Sequence, residues 1–477
     1  MLTPPTPPTP PTPSYGLSWA SSVTLEADGD DLVLHAYACN TLRLRQPNAA
    51  QRQLVALLNR GGLHAHALCE AALRHAPGVD LARLYYLLTL AANKALLRYT
   101  VSHQGQAFAS LEPLAAAFRF EPITTPQRYQ LSRFACLRRE GHDTVVECPL
   151  GHARLVLHDA RAAGLVALLS QVRSVAELVA EQPGLDEPTV AAFISLLHNA
   201  HAAMAVNGEG SLPEDSSASL QQWAFHDLLF HSRSRAGRHD TPMGASFRWA
   251  RQVRPLPAVK PPMSTQRIPL EPPQEPLNRP FIEVIEARRS QSQAGATALR
   301  LAQLSALLYH AARIKTVHEP DPAQARACTT TLRPSASGGA LHALELYLTV
   351  SRCEGLAPGF YHYDPLAHAL EHLAELGPAH QRLLQAACQA SGTAQPPDVL
   401  ITMAARFQRS SWKYQSIAYA LILKDVGALY QQLYLVATAL RLAPCALGGG
   451  DSDLFAQLAG TDYYAETTVG EFSVSGA

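Results

Sequence analysis

From Ser416 to Leu442 the chain contains no proline. Between Ile417 and Leu440 its polar interruptions are few, chiefly Lys424, Asp425, Gln431 and Gln432. Such a pattern reads as one helix, apolar nearly all round, which must be buried. At about 1.5 Å per residue it spans roughly the diameter of a domain, so it is expected to form a central strut. Ser410-Ser411-Trp412-Lys413-Tyr414 precedes it and Gly448-Gly449-Gly450-Asp451 follows it. An amine and a phenol near one end and a glycine turn near the other make this the place to look for a site.

The rest of the 477 residues, 47% hydrophobic and 16% charged, suffice for two to four domains with real cores. Lys+Arg and Asp+Glu both number 39, so no global field recruits nucleic acid or a membrane surface. No uninterrupted apolar run is long enough to span a bilayer, and the N-terminus lacks the pattern of a secretory signal. The expected address is the cytoplasm. Eight scattered cysteines form no Cys-x-x-Cys pair, which signals free thiols rather than zinc or a disulfide framework. His64, His66 and Cys69 lack a second cluster to complete a tetrahedral set, so no metal site is expected.

Residues 1–13 carry a Pro-Pro-Thr repeat, readable only as polyproline II or a disordered tail. A faint internal duplication follows. Tyr15-Gly16-Leu17-Ser18 is echoed by Tyr129-Gln130-Leu131-Ser132, and Leu54-Val55-Ala56-Leu57-Leu58 recurs as Leu165-Val166-Ala167-Leu168-Leu169. Around each copy come a strand, a turn, another strand and three helices, the last starting near Asp80 or Asp186. These read as two winged-helix-like units over 14–125 and 126–215. Their basic residues are dispersed among acids, which disfavours DNA readout. A segment over 216–280 follows, an aromatic, Arg/His-rich staple around Trp223 and then a Pro-rich linker. The final domain, 281–477, alternates helices with strand-like runs and reads as α+β.

Within that domain, Arg288-Arg289-Ser290 closes a short amphipathic helix, with Ser292 two positions on. Guanidiniums followed by hydroxyls and amides make a phosphate cradle. Arg333-Pro334-Ser335-Ala336-Ser337-Gly338-Gly339 is a turn of small residues on which a flat ligand can lie. Taken singly, each is also an ordinary solvated helix end or tight loop.

In order, Arg-Arg-Ser, Pro-Ser-x-Ser-Gly-Gly with Leu-Glu-Leu-Tyr, Gly-Phe-Tyr-His-Tyr-Asp-Pro, Lys-Tyr, the long helix and Gly-Gly-Gly-Asp resemble one family. It is the FMN-dependent nitroreductase superfamily, and within it the SagB/ThcOx-type azoline dehydrogenases. Phe230-His231-Ser232-Arg233 and Gly237-Arg238-His239 resemble the segment before the flavin domain in longer members. The two winged-helix-like units resemble peptide-recognition elements. The resemblance implies that Arg288, Arg289 and Ser290 hold the FMN phosphate and ribityl chain; Ser292, at a position where the family is usually basic, and Arg333, on which phosphate binding then leans, are further cofactor-binding candidates. It places Pro334, Ser335, Ser337 and Gly338 along the isoalloxazine and the amides of Gly448 and Gly449 at its N5/O4 edge. Lys413 and Tyr414 match the pair on which dehydrogenation rests; a base is needed to take the azoline α-proton, and either group can serve. Implied partners are an azoline-containing precursor peptide, a YcaO-type cyclodehydratase and a second copy of the chain, with flavin at the dimer interface. Two departures stand out. Ser292 occupies a position usually basic, and Glu471 puts an acid where relatives carry bases. They keep two alternatives open, an FMN oxidoreductase of nitroreductase type with another substrate and a flavin-free scaffold subunit.

Overall fold

The computed structural model describes residues 15–36, 40–74, 80–123, 127–208, 210–324 and 327–477. The Pro-Pro-Thr repeat lies outside them. The chain forms two compact units, one ending at Thr241 and the other beginning at Pro242.

In the first unit one order of elements occurs twice. The first copy runs β1 (Gly16–Trp19), a meander of β2 (Thr24–Asp28), β3 (Asp31–Ala36) and β4 (Asn40–Leu44), helices α1 (Ala49–Arg60), α2 (Ala65–Leu73) and α3 (Leu81–Asn93), and β5 (Leu97–His103). After β6 (Gln106–Pro113) the second runs β7 (Arg128–Leu131), a meander of β8 (Cys136–Glu140), β9 (Asp143–Glu147) and β10 (Ala153–Leu157), then α4 (Ala160–Leu168), β11 (Arg173–Ser174), α5 (Val175–Glu181), α6 (Glu187–Asn199) and β12 (Ala203–Ala205). Even the caps repeat. Asn48 and Asp159 cap α1 and α4, His64 and Ser174 cap α2 and α5, and Asp80 and Asp186 cap α3 and α6. A cap of this kind is worth about 1 kcal/mol. The repeated pentapeptide lies on α1 and α4, where Leu54, Val55 and Leu58 are buried as are Leu165, Val166 and Leu169.

The copies are fused rather than strung. β6 pairs with β5 of the first copy and with β10 of the second, giving a six-stranded sheet β1-β5-β6-β10-β9-β8. A single hydrophobic core runs from Tyr15 to Leu228. In the second copy β6 covers the edge of the meander; in the first, β4 pairs only with β3 among the described residues. The segment around Trp223 belongs to this unit as well. After α7 (Pro213–Ser216) and α8 (Phe225–Arg233), Leu228 enters the core and Arg233 donates to Glu147 at 2.6 Å.

The second unit starts well ahead of Phe281, because the Pro-rich stretch is tied down. The Lys260 ammonium pairs with Glu466 at 2.7 Å and donates to the Tyr347 hydroxyl at 2.6 Å. β13 (Arg267–Pro269) pairs with the edge of the main sheet, where a proline is tolerated. Then come α9 (Phe281–Ala287), α10 (Leu301–Ala312), the hairpin β14 (Thr316–His318) and β15 (Thr330–Leu332), β16 (Leu344–Val350), β17 (Gly359–Asp364), β18 (Ala369–Ala374), α11 (Pro378–Ser391), β19 (Val399–Arg406), α12 (Phe407–Ser411), α13 (Ala418–Ala439), β20 (Ala443–Leu447), α14 (Ser452–Ala459) and β21 (Glu466–Ser475). The main sheet is antiparallel, in the order β13-β18-β17-β16-β19-β21-β20. Alternation along its strands sends Leu346, Leu348, Ile401 and Met403 toward α10 and α13. Tyr347, Phe360, Leu400 and Ala404 face α11 and α14. The result is an α+β domain of three layers.

The long helix, α13, buries Ile422, Val426, Leu429, Leu433 and Val436. It is not buried all round within one chain. Tyr419 is 46% and Leu423 38% exposed, and Gly427 and Gln431 continue the same open stripe at four-residue intervals. On α9 only Val284 is buried, leaving Phe281 69% and Ile282 64% exposed.

Candidate functional site

Lys413 and Tyr414 leave α12 just before the long helix. Buried Trp412 fixes their approach, its indole N–H donating to the Val253 carbonyl at 2.7 Å. The Tyr414 N–H donates to Ser410 O at 2.8 Å, and Gln415 pairs with Gly244. Both side chains are half-buried, with Lys413 Nζ 5.2 Å from the centroid of the Tyr414 ring. Their polar ends rest on the Ser337-Gly338-Gly339 turn. At Gly339, whose φ is +65°, a methyl group would collide with Tyr414 Oη and lie 2.8 Å from Lys413 Nζ. Two segments some 75 residues apart in sequence thus meet at one α-carbon, roughly the long-range closure that loop entropy makes costly without a packed core.

That turn is held from the far side by the long helix. Asp425 accepts from the Ser337 hydroxyl at 2.6 Å and from the Gly338 N–H at 2.9 Å. The Ser337 oxygen accepts in turn from the His342 N–H at 2.9 Å. Ser337, one of the residues expected along the isoalloxazine, donates its hydroxyl to Asp425. Burial raises the pKa of Asp425, and the two hydrogen bonds oppose it. Arg333, Ser335, Ser337, His342 and Asp425 line a cavity of about 20 Å³, room for roughly one water. Arg333 is 9% exposed, its Nε donates to the Thr331 hydroxyl at 3.3 Å, and one terminal nitrogen has no partner. His342 is pushed down to about 3, first by burial and then by Arg333 and Arg409, so it is a neutral imidazole.

A second cavity lies at the other end of α13. Arg288 and Arg289, with Arg279, Arg441 and Thr438, line a cleft of about 510 Å³ containing one acid, Glu286. Arg288 stacks over the Tyr434 ring at 5.2 Å, and the Ser290 and Tyr434 hydroxyls are 2.8 Å apart. Arg279 pairs with Glu283 at 4.0 Å, but no acid among the described residues forms an ion pair with Arg289 or Arg441, so the cleft holds an excess of positive charge. Arg333 is not part of it. Its side chain is drawn into the core beside Glu345. Ser292 is half-buried and outside the lining of this cleft.

The Gly448-Gly449-Gly450 turn follows β20. Gly448 and Gly449 are exposed with open space where a side chain would project, whereas a methyl on Gly450 would collide with the Glu471 carboxyl. Glu471 is buried, accepts from the Thr468 hydroxyl and has its pKa raised by burial. The acid therefore sits under the glycine turn and not among the arginines.

Comparison with known proteins places these features. Residues 129–240 match the family of the cyanobactin oxidase ThcOx, and residues 285–474 match the nitroreductase family. The second stretch contains the arginine cleft, the Ser-Gly-Gly turn, the Lys-Tyr pair and the glycine turn. Residues 285–474 are a nitroreductase-family domain. A protein of Methanocaldococcus jannaschii named as a nitroreductase is 32% identical over 112 residues, 24% of this chain and 56% of that protein. The microcin B17-processing protein McbC of Escherichia coli is 30% identical over 135 residues, 27% of this chain and 46% of that protein. The chain thus spans about half the length of the curated relatives it matches. The Escherichia coli microcin synthetase McbBCD complex with truncated pro-MccB17 bound is similar to 53% of this chain and 91% of its own, at 22% identity and a TM-score of 0.32.

In the nitroreductase domain the donor set fits a flavin mononucleotide: free guanidiniums at one end of α13, an open small-residue turn and a buried unpaired Arg333 donor near the other. Sequence reasoning missed three residues here. Asp425 read as a polar interruption, Gly339 as one more turn glycine, and His342 drew no notice. A buried carboxylate on an otherwise apolar helix face is the signal that marks Asp425, and the face is known only once the helix is docked.

Proposed function

We propose that this chain is an FMN-dependent dehydrogenase that oxidises azolines to azoles in a ribosomally made precursor peptide in the cytoplasm. The observation that carries the reading is the seat of Lys413 Nζ and Tyr414 Oη on Gly339, within the Ser-Gly-Gly turn of a nitroreductase-family domain. FMN, when bound, supplies the hydride acceptor. Arg288 and Arg289 hold its phosphate, with Ser290 beside them; Pro334, Ser335 and Gly338 back the ring, and the free amides of Gly448 and Gly449 meet its edge. Lys413 or Tyr414 takes the proton from the azoline α-carbon, and half-burial of the pair limits competing water. Dioxygen is the terminal oxidant.

The likeness to a microcin-processing protein supports a peptide substrate delivered by a YcaO-type cyclodehydratase. The two duplicated units suit leader-peptide recognition by strand addition, and the β4 edge, which has no second neighbour among the described residues, is the place for it. The open stripe of Tyr419 and Leu423 with Phe281 and Ile282 supports a homodimer built on α13. Glu471, the feature that favoured a flavin-free scaffold, lies under the glycine turn rather than opposing the arginines, which weakens that alternative.

The test is an absorption spectrum of the purified protein followed by an azoline-bearing peptide without oxygen. Flavin bands that bleach on adding peptide, and not in Lys413→Ala, are expected. A colourless protein that FMN does not reconstitute returns the chain to the scaffold reading, and bleaching only by a nicotinamide reductant makes it a nitroreductase.

A further inference from the structure

We infer that Asp425 is a positioning residue for this oxidation: from the long helix, its carboxylate holds the turn on which the Lys413 amine and the Tyr414 hydroxyl are seated. The role of the pair rests on the function proposed above; the hold on the turn rests on geometry alone.

Three observations converge. Asp425 is 8% exposed; on its own helix its buried neighbours Ile422, Val426 and Leu429 are apolar, it shares a small cavity with Arg333, Ser335 and His342, and among the described residues no basic side chain forms an ion pair with it. A carboxylate left unpaired in such a place is costly, and packing alone would favour leucine there. Both its oxygens are used, and both on one turn, by the Ser337 hydroxyl at 2.6 Å and the Gly338 N–H at 2.9 Å. Finally, the turn needs holding. Gly339, Ala340 and His342 have φ values of +65°, +57° and +43°, with right-handed Leu341 between the last two, and the two that carry side chains adopt left-handed backbone at a cost. The Ser337 oxygen ties the end of that stretch through the His342 N–H. Gly339 directly follows the residues that Asp425 grips, and it is Gly339 that Lys413 and Tyr414 touch. Asp425 thus reaches the pair through one carboxylate and one turn.

The experiment compares Asp425→Asn, Asp425→Ala and Asp425→Leu in the full chain, with two readouts. The first needs neither flavin nor substrate: the rate at which an acetyl succinimidyl ester acylates Lys413 in FMN-free protein, by peptide mass spectrometry, relative to exposed Lys424. The second is kcat and KM with an azoline-bearing peptide. With leucine the helix stays packed and the grip is lost. Lys413 acylation is expected to rise at least about threefold as the turn opens, and kcat to fall about 10- to 100-fold with KM little changed. Asparagine, whose amide oxygen still accepts from Gly338 while its NH₂ reaches the Ser337 oxygen, is expected to stay close to wild type in both. Alanine should follow leucine; if it fails to fold, the leucine variant decides. Unchanged Lys413 acylation in Asp425→Leu, or an asparagine variant as impaired as the leucine one, overturns the proposal. A wild-type protein inert toward azolines would sink the proposed function while leaving the acylation result to decide the role of Asp425.

Discussion

Gly339 is the smallest part of the site and the least replaceable. Its positive φ alone makes alanine cost about 1 kcal/mol, and the added methyl must displace Tyr414 Oη and Lys413 Nζ. We expect Gly339→Ala to fold with a slightly lowered melting temperature and to be bleached by an azoline peptide at least about tenfold more slowly, as stopped-flow absorbance would read. His342 predicts a pH effect. Unfolded, it takes up a proton near its ordinary value; folded, it stays neutral down to about 3. Its contribution to stability is therefore complete above about pH 6.5 and drains away as pH falls, by up to about 1.4 kcal/mol per unit. Denaturant melts at pH 7, 6 and 5 should show that decline, and His342→Asn should flatten it. The sequence could single out Lys413, Tyr414 and Arg288 as candidates because each belongs to a short local motif, and the structure sets the first two on Gly339 and the third in the arginine cleft. The burial of Arg333 and the hold of Asp425 on the turn were not legible, because the direction of a side chain relative to the core is a property of docking, which no motif records.

At the scale of elements, the long helix was legible in length and position, since periodicity over that many residues is a strong signal. Its exposure was not. An all-round apolar pattern states that every face wants cover without stating what supplies it, and here Tyr419, Leu423, Gly427 and Gln431 stay exposed along one stripe. If a second copy covers them, Leu423→Arg should convert a dimer to a monomer in sedimentation and lower flavin content on purification, with the melting temperature of the FMN-free protein little altered. The duplication was legible for a similar reason: the repeated pentapeptide and the Asp80 and Asp186 caps are local. The strand that fuses the copies, β6, left no such trace, because pairing across about 40 residues depends on partners that each have a suitable pattern alone.

At the scale of the whole molecule, the sequence suggested breaks near 125, 215 and 280, and the contacts divide the chain at Thr241 and Pro242. The first two would cut through a shared sheet and a shared core. We expect a fragment of residues 14–125 to aggregate or bind a hydrophobic dye, having lost the β10 partner of β6, and a fragment ending at Thr241 to melt cooperatively by circular dichroism. The second unit carries a different kind of constraint. β21, the last strand of its sheet in chain order, lies between β19 and β20. A ribosome making this chain emits β19, the long helix and β20 before the strand that must join them exists. Until β21 emerges, that half of the sheet has two raw edges and no middle, so the unit cannot close while its final strand is still in the exit tunnel. The first unit can be native by then. Translation thus orders the two events, and the second unit is the one exposed to misassembly and the one for which a chaperone at the tunnel mouth would matter.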